Sequence, residues 1–365
     1  MSLPLLRYTA ELYPKTDFSR VGIIACQHLL GTTLDLFAEL FLKGLKPENV
    51  YLLGKCYSTH LGTLKKFKKL GVHVSELSTE FDPSVPYDQQ FKAYTTSFTA
   101  SALAELATEE LDDVLLLDDG GFVIEYANRF VKDTSHLEAV EQTSSGYVKV
   151  KNINLRFPVV NVARSQAKLA IESSLIAKRV IEKLLEGTKV TADSRILVMG
   201  QGTIGREIKT QIGKICHVSG CDSKAERCDF QGKYLDRLSS FDIVVGSTGQ
   251  AVLSFEDCQR LKKGAVLASA SSSDREFPAS LFRAESKSSD CHVDLERNGV
   301  KLLNGGFPIN FDGKQHSLPP NEAQLTRSLL FMGLCEALEH RGKKGILELS
   351  NQQALVTEEF KKYVH

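Results

Sequence analysis

The chain has 365 residues, enough for two or three domains of ordinary size, and 42% of these residues are hydrophobic. Its 45 Lys and Arg residues balance its 45 Asp and Glu residues, which gives a formal net charge of zero. This composition excludes an intrinsically disordered chain. It also gives no basis for nucleic-acid binding, which usually requires a basic excess.

Other sequence features exclude a membrane protein and predict the compartment. Charged residues interrupt even the most apolar stretch, residues 34–45, so we expect no membrane-spanning segment. The first residues lack a basic and then apolar signal pattern, and the eight cysteines form no CxxC motif. No His or Cys cluster has the spacing of metal ligands, so we expect no metal site. These features predict a cytoplasmic protein with reduced thiols.

Short apolar segments alternate with helix-length segments, which is typical of α/β proteins with parallel sheets. In the first part of the chain we predict strands at residues 21–26, 50–53, 72–74, 113–117 and 158–162. In the second part we predict strands at residues 196–199, 217–221, 243–245, 265–268, 292–294 and 300–303.

A glycine-rich motif, residues 200–205 (GQGTIG), follows the predicted strand 196–199 and precedes a helix-length segment. Such glycines permit a tight turn, close approach of the backbone to a diphosphate, and packing of the helix on the strand. An acidic residue after the next strand binds the ribose hydroxyls of NAD. The alternative is a glycine-rich turn without a ligand. We predict that NAD is bound by Gly200, Gly202, Thr203, Ile204, Gly205 and Asp222, with Thr248 and Gly249 after strand 243–245.

Because the motif lies at residues 200–205, after a first set of predicted strands, we predict two α/β domains. We predict a substrate-type α/β domain over residues 1–165, completed by about residues 318–345. A hinge helix and linker then span residues 166–190, and a Rossmann-type domain with a doubly wound parallel sheet spans residues 191–317. Residues 346–365 are predicted to be a C-terminal tail.

Polar side chains follow the predicted strands of the first domain, where open parallel sheets bind ligands. They are His28, Ser58, Thr59, Asp118 and Asp119. Each also has a structural interpretation, because Ser and Thr commonly cap helices and Asp commonly forms turns. Lys168 and Glu172 are four residues apart on a predicted helix and form either a surface ion pair or part of a site.

The order of these motifs resembles that of the S-adenosylhomocysteine hydrolase family, over about residues 8–338. The resemblance is carried by residues 22–28, 56–59, 117–121, 141–146, 160–162 with Lys168 and Glu172, 200–205, and Asn310. It implies bound NAD that oxidises a ribose 3′-hydroxyl, followed by elimination and hydration. It also implies a homo-oligomer.

The resemblance also implies roles for matched positions. Lys168 would assist deprotonation of the 3′-hydroxyl, Glu172 would hold ribose hydroxyls, Asp119 would be the base and His28 a candidate acid. Further matched positions are Ser58, Thr59 and His316 on the substrate side, and Thr143, Ser144, Ser145 and Asn310 on the cofactor side.

Departures from the family pattern fall mainly on the substrate side. They include Gln142 in place of a glutamate, Phe122 in place of an acid, and Thr32 in place of an adenine-binding glutamate. We therefore predict NAD-dependent redox chemistry on a secondary alcohol of a nucleoside or sugar-like small molecule other than adenosylhomocysteine. The enzyme would be of the hydrolase or oxidoreductase type.

Two alternatives remain open from the sequence. One is a non-catalytic NAD-binding homologue that acts as a sensor or partner protein. Gln142, Phe122 and Ser272 favour it, because each replaces a group that the complete reaction would use. The other is a 2-hydroxy acid dehydrogenase, for which Arg164 and His316 could supply the carboxylate clamp and the proton carrier.

Overall fold

The computed structural model describes residues 3–284, 286 and 290–364. The chain divides into two compact units. Unit 1 comprises Met1–Glu80, Phe91–Glu172 and Lys314–His365, and unit 2 comprises Phe81–Gln90 and Ser173–Gly313.

Strands and helices alternate along the chain, as its apolar pattern indicates. The strands are β1 (Val21–Cys26), β2 (Val50–Leu53), β3 (His73–Val74), β4 (Asp113–Asp118), β5 (Leu137–Glu141), β6 (Pro158–Asn161), β7 (Arg195–Met199), β8 (His217–Cys221), β9 (Ile243–Gly246), β10 (Val266–Ser269), β11 (Leu295–Arg297), β12 (Val300–Leu302) and β13 (Gly345–Glu348). The helices are α1 (Pro4–Leu12), α2 (Gly31–Leu42), α3 (Leu61–Lys69), α4 (Tyr87–Leu106), α5 (Phe122–Phe130), α6 (Ser144–Val150), α7 (Ser173–Gly187), α8 (Thr203–Ile212), α9 (Phe255–Cys258), α10 (Ala279–Arg283), α11 (Pro320–Glu339) and α12 (Gln352–Phe360). Among the helices in the described ranges, none is both long and apolar enough to cross a bilayer.

Unit 1 contains a seven-stranded sheet in the order β13-β6-β5-β4-β1-β2-β3, with every neighbouring pair parallel. From β1 the chain proceeds to β2 and β3 on one side, and then returns to β4 on the other side. The reversal of direction lies between β1 and β4, and ligands bind parallel sheets beside the carboxyl ends of such strands. All residues of both strands are buried.

Unit 2 contains a six-stranded sheet in the order β11-β12-β10-β9-β7-β8, parallel except for the antiparallel β11–β12 pair. Its two faces have separate apolar cores: Leu197 and Val244 belong to one, and Ile196, Val198 and Val245 to the other. Cover on both faces is the reason these strands are continuously apolar. The predicted α/β class with a doubly wound sheet is therefore confirmed.

Several predicted elements differ in position. The strand predicted at residues 292–294 is wrong, because the strand in this part of the chain, β11, begins only at Leu295. It pairs with β12 through a turn at Asn298 and Gly299. The segment 346–365, predicted as a tail, contains most of β13 and all of α12. Residues 168–172, predicted as part of one continuous helix, form a π-helical turn before α7. Such turns often occur at functional sites.

Candidate functional site

The glycine-rich motif of unit 2 forms the turn between β7 and α8, as predicted. Gly200 has φ +97°, a backbone conformation that side chains disfavour. A Cβ atom on Gly205 would lie 1.9 Å from the Gly200 carbonyl oxygen and 2.4 Å from Ser247 Oγ. Folding of unit 2 itself therefore requires glycine at both positions.

Gly202 is different, because nothing in the fold of unit 2 requires a glycine there. Its φ is −71° and its ψ is −170°, which any residue adopts, and apart from its two chain neighbours no described residue has an atom within 4 Å of a Cβ built on it. Gly202 and Thr203 are exposed and Ile204 is half-buried, and no side chain of the described residues caps the start of α8. The uncapped N–H groups at this end of the helix can donate to an anion.

Asp222 follows β8, and its carboxylate closes the other side of the same turn. Oδ2 accepts the Gln201 N–H at 2.7 Å, and Oδ1 accepts the Lys224 N–H at 3.1 Å. Partial burial of Asp222 opposes ionisation, but these backbone hydrogen bonds outweigh it and lower the pKa of the carboxyl group. The Ser223 hydroxyl also donates to Oδ1, at 3.2 Å. An ionised carboxylate can accept about four hydrogen bonds, so Asp222 has capacity left for a hydroxyl group of a ligand.

The segment after β9 is held by a glutamate that the sequence analysis did not identify. Glu276 is fully buried, and its Oε1 accepts the N–H groups of Thr248 at 2.6 Å and Gly249 at 3.2 Å. Ser269 donates its hydroxyl to Oε2 of Glu276 at 2.7 Å. The backbone amides of Thr248 and Gly249 are therefore already used within unit 2.

The remaining predicted cofactor residues lie in both units. Asn310 is buried in unit 2, directly after Ile309, whose N–H donates to the carbonyl oxygen of Ser269 at the end of β10. Thr143 belongs to unit 1, where its hydroxyl oxygen accepts the Gly146 N–H at 3.0 Å and caps α6. Ser144 and Ser145, in the first turn of α6, are exposed. The cofactor role of these residues stays a prediction.

Asp119 lies at the centre of a polar cluster in unit 1, at the carboxyl ends of β1, β2 and β4. It pairs with the ammonium group of Lys55, whose side chain is also buried. His28 Nε2 lies 3.2 Å from Asp119 Oδ2, and the Gln142 side-chain amide donates to the same oxygen at 2.5 Å. Burial opposes ionisation of Asp119, but Lys55 and His28 outweigh it and hold the pKa of the carboxyl group well below its usual range. Asp119 is therefore a carboxylate.

His28 connects Asp119 to Ser58. The distance from His28 Nδ1 to Ser58 Oγ is 2.5 Å. Burial is the main cause that lowers the pKa of His28, and the charge of Asp119 opposes this shift. A neutral ring with its hydrogen on Nε2 would donate to Asp119 and accept the Ser58 hydroxyl.

Lys168 and Glu172 form an ion pair of 3.3 Å within the π-helical turn. Their side chains are only 11% and 17% exposed, so this is not the surface pair that the spacing also allowed. Lys168 Nζ also donates to the carbonyl oxygen of Gln142, and Glu172 accepts the Thr326 hydroxyl at 2.6 Å. These contacts place the pair beside the segment that holds Asp119.

The other two predicted substrate residues also lie in unit 1. Thr59 is buried and donates its hydroxyl to the carbonyl oxygen of Lys55 at 2.9 Å, which shapes the turn that presents Lys55. His316 packs against Gly31 at the start of α2, so closely that a Cβ atom on Gly31 would lie 2.4 Å from His316 Cε1. Burial lowers the pKa of His316.

Besides Asp119, the carboxyl groups of Asp118 and Glu141 are buried in unit 1. Desolvation raises the pKa of Asp118 to about 6, although the Ile124 N–H donates to its Oδ2 at 3.0 Å. Desolvation and the charge of Asp118 raise the pKa of Glu141 well above its ordinary value. Asp118 therefore fits the structural interpretation of an aspartate that forms a turn, because its carboxyl group accepts a hydrogen bond from the Ile124 N–H in the first turn of α5.

Sequence reasoning missed two cations of unit 1, Lys55 and Arg327. Lys55 follows the predicted strand 50–53 and a single glycine at residue 54, and this position at a strand end was an available signal. Arg327 lies within the long apolar helix α11 and is 6% exposed. A charged residue in an otherwise buried helix was the available signal for it. Among the described residues, no group of three His, Cys, Asp or Glu side chains could hold a metal ion.

Two curated proteins of Mycobacterium tuberculosis are similar to this chain. They are the uncharacterized protein MT0113 of strain CDC 1551 / Oshkosh and the uncharacterized protein Rv0104 of strain ATCC 25618 / H37Rv. Each is 35% identical over 353 residues, which covers 92% of this chain and 69% of the relative. No family model matches the chain.

Solved structures with weak similarity include three enzymes. The A chain of dipicolinate synthase from Bacillus subtilis is 12% identical, with a TM-score of 0.41 and coverage of 87% of this chain and 95% of that chain. An NAD-dependent formate dehydrogenase from Staphylococcus aureus, in complex with NAD, is 12% identical, with a TM-score of 0.41 and coverage of 87% and 94%. An NAD⁺-bound 3-phosphoglycerate dehydrogenase in Entamoeba histolytica is 10% identical, with a TM-score of 0.40 and coverage of 89% and 99%. At this level of similarity, the chemistry of the chain has to be argued from its own residues.

Proposed function

The chain belongs to the same family as the uncharacterized proteins MT0113 and Rv0104 of Mycobacterium tuberculosis, and we propose that it is an NAD-dependent enzyme that oxidises a secondary alcohol of a nucleoside or sugar-like substrate. The cofactor side of this proposal rests on unit 2 and the substrate side on unit 1. The homo-oligomer that the resemblance implies stays a prediction, which light scattering would test.

Gly202 is the single observation that carries the cofactor assignment. Neither backbone strain nor packing within unit 2 requires a glycine there, so a close-lying ligand explains its missing side chain. The start of α8 offers N–H donors to a diphosphate, and Asp222 offers a carboxylate to ribose hydroxyls. When bound, NAD supplies a hydride acceptor. The same carboxylate would repel a 2′-phosphate, so we propose NAD rather than NADP.

The polar cluster of unit 1 supports alcohol oxidation. Lys168 carries an ammonium group that favours the alkoxide form of a neighbouring hydroxyl, and Glu172 can accept hydrogen bonds from substrate hydroxyls. Asp119 accepts a proton only after Lys55 moves away from it, because the pKa of its carboxyl group is held so low. We therefore propose His28 as the group that exchanges a proton, and its contacts with Asp119 and Ser58 support this role.

One observation favours the non-catalytic alternative. Asp119 already accepts from Lys55, His28 and Gln142, which leaves it little capacity to act on a substrate. A sensor built this way would bind NAD without converting any alcohol.

The test of the proposed function is an assay of NAD⁺ reduction with ribonucleosides, sugars and their phosphorylated and carboxylated derivatives as substrates. We expect NADH to form with at least one compound, and we expect Lys168→Met to lower kcat by at least about a hundredfold. Lys68→Met is the matched control, since Lys68 forms an exposed pair with Glu76 and should keep wild-type activity. Bound NAD with no turnover across the panel would support the sensor instead.

A further inference from the structure

Arg327 is a buried cation of unit 1 without an acidic partner. Only 6% of the residue is exposed, and no carboxylate oxygen of the described residues lies within 4 Å of its guanidinium group. Its contacts are uncharged: Nε donates to Thr32 Oγ1 at 3.2 Å, and one terminal nitrogen lies 3.5 Å from Gln27 Oε1. Desolvation lowers the pKa of Arg327 to about 10. Burial of an unpaired charge is costly, so this arrangement requires an explanation.

The amide group of Gln27 adds an unsatisfied hydrogen-bond donor at the same place. Gln27 follows β1 and is completely buried, and its Nε2 has no hydrogen-bond partner among the described residues. Because Oε1 and Nε2 share one carbon atom, the unsatisfied Nε2 lies beside the guanidinium group that faces Oε1. Thr32, which orients Arg327, lies in the first turn of α2. Two buried donors therefore converge where the described residues offer no anion.

The acidic residues that attract Arg327 from a distance do not neutralise this position. Asp119 is paired with Lys55, and Glu172 is paired with Lys168. Asp35 also attracts Arg327, but its carboxylate lies more than 4 Å from the guanidinium group and forms no ion pair with it. After these pairings, Arg327 has no direct counter-ion among the residues that the structure describes.

We propose that Arg327, Gln27 and Thr32 form an anion subsite that binds an oxyanion of the substrate, either a carboxylate or a phosphate group. The planar guanidinium fork matches two oxygens of such a group, and the Gln27 amide can donate to one of them. The proposal rests on the proposed function in one respect, since the bound anion is taken to be part of the alcohol oxidised beside Lys168. It narrows that substrate to an acidic or phosphorylated alcohol.

Titration calorimetry with inorganic phosphate and with acetate tests the subsite on the whole chain without NAD. We expect at least one anion to bind in the millimolar range, and Arg327→Met to weaken that binding by at least about tenfold. Phosphate binding alone would indicate a phosphorylated substrate, and acetate binding alone would indicate a carboxylic acid. Arg20→Met is the matched control, since it removes an exposed arginine that pairs with Asp112 and should leave the affinity unchanged.

Two results would overturn the subsite: no binding of either anion by the wild-type chain, or equal binding by Arg327→Met. If Arg327→Met does not fold, Arg327→Lys keeps the charge but loses the fork, and we expect it to weaken binding by a smaller factor. Affinity equal to that of the wild type in Arg327→Lys would count against recognition by the fork. Turnover of neutral alcohols without anion binding would refute the subsite and leave the proposed function standing.

Discussion

The side-chain amide of Gln142 donates a 2.5 Å hydrogen bond to Oδ2 of Asp119. An amide donor at this position suits an ionised carboxylate, whereas the glutamate that the family resemblance leads one to expect would bring a second negative charge. Gln142 therefore adds a hydrogen bond to a carboxylate that Lys55 and His28 keep ionised. The glutamine that departs from the family pattern is therefore the residue type that suits the negative charge of Asp119.

Gln142→Glu should destabilise the chain more at pH 8 than at pH 5. Two carboxyl groups at this separation cannot both ionise without repulsion, so one of them must take up a proton. The loss of unfolding free energy at pH 8 should be about 1–3 kcal/mol, measured by urea denaturation. Gln142→Leu is the control that removes the amide without adding a charge, and its loss should be similar at the two pH values. Equal losses at both pH values for Gln142→Glu would contradict this account of Asp119.

Alanine substitutions at Gly202 and Gly205 should affect different properties: the first should weaken NAD binding, and the second should lower stability. Gly202→Ala should leave the unfolding free energy within about 0.5 kcal/mol of the wild type, because its Cβ meets no atom of the described residues, but should weaken NAD binding by at least about tenfold. Gly205→Ala should destabilise the chain by about 1–3 kcal/mol, because its Cβ would collide with the Gly200 carbonyl oxygen. Thermal unfolding and NAD titration of both variants check this. Undiminished NAD affinity in Gly202→Ala would refute the ligand explanation of that glycine.

The buried Asp118 should make the stability of the wild type depend on pH. Its folded-state pKa of about 6 lies above the ordinary value of 3.8, so the stability it contributes is present below pH 3.8 and is lost as the pH rises through 6. Asp118→Asn keeps an acceptor for the Ile124 N–H but cannot ionise. Between pH 4 and pH 7, the wild type should therefore lose on the order of 3 kcal/mol relative to this variant.

Parallel urea denaturation series at pH 4, 5, 6 and 7 measure this difference. Asp112→Asn is the control, because Asp112 is half-exposed and pairs with Arg20 at the surface. Its unfolding free energy should follow the wild-type trend. A constant difference between the wild type and Asp118→Asn would show that Asp118 does not titrate in this range.

Local patterns predicted the strands that are uniformly apolar and the turn between β7 and α8. They did not predict β5, which contains Glu138 and Glu141 although all five of its residues are buried. Desolvation raises the pKa of Glu138 to about 7, which shows how far its environment departs from that of an ordinary glutamate. Strands β4 and β6 flank β5 in the sheet and helix α11 packs against it, and these neighbours account for the burial.

The positions of individual residues of the candidate site could be predicted from the sequence, but the contacts between their side chains could not. His28, Ser58 and Asp119 could be placed at strand ends, because parallel strands bring their carboxyl ends to one edge. The Lys55–Asp119 pair joins residues 64 positions apart, and the Arg327–Thr32 contact joins residues 295 positions apart. Such contacts depend on the order of strands in the sheet and on the packing of α11, which no local pattern specifies.

Calorimetric titration of nucleotide-free protein with NAD and NADH tests the central claim most directly. We predict one site per chain for each of these nucleotides and at least about tenfold weaker binding of NADP, because the Asp222 carboxylate would repel a 2′-phosphate. Absence of heat with both NAD and NADH, in protein shown to be folded, would contradict the assignment of unit 2 and the function proposed from it.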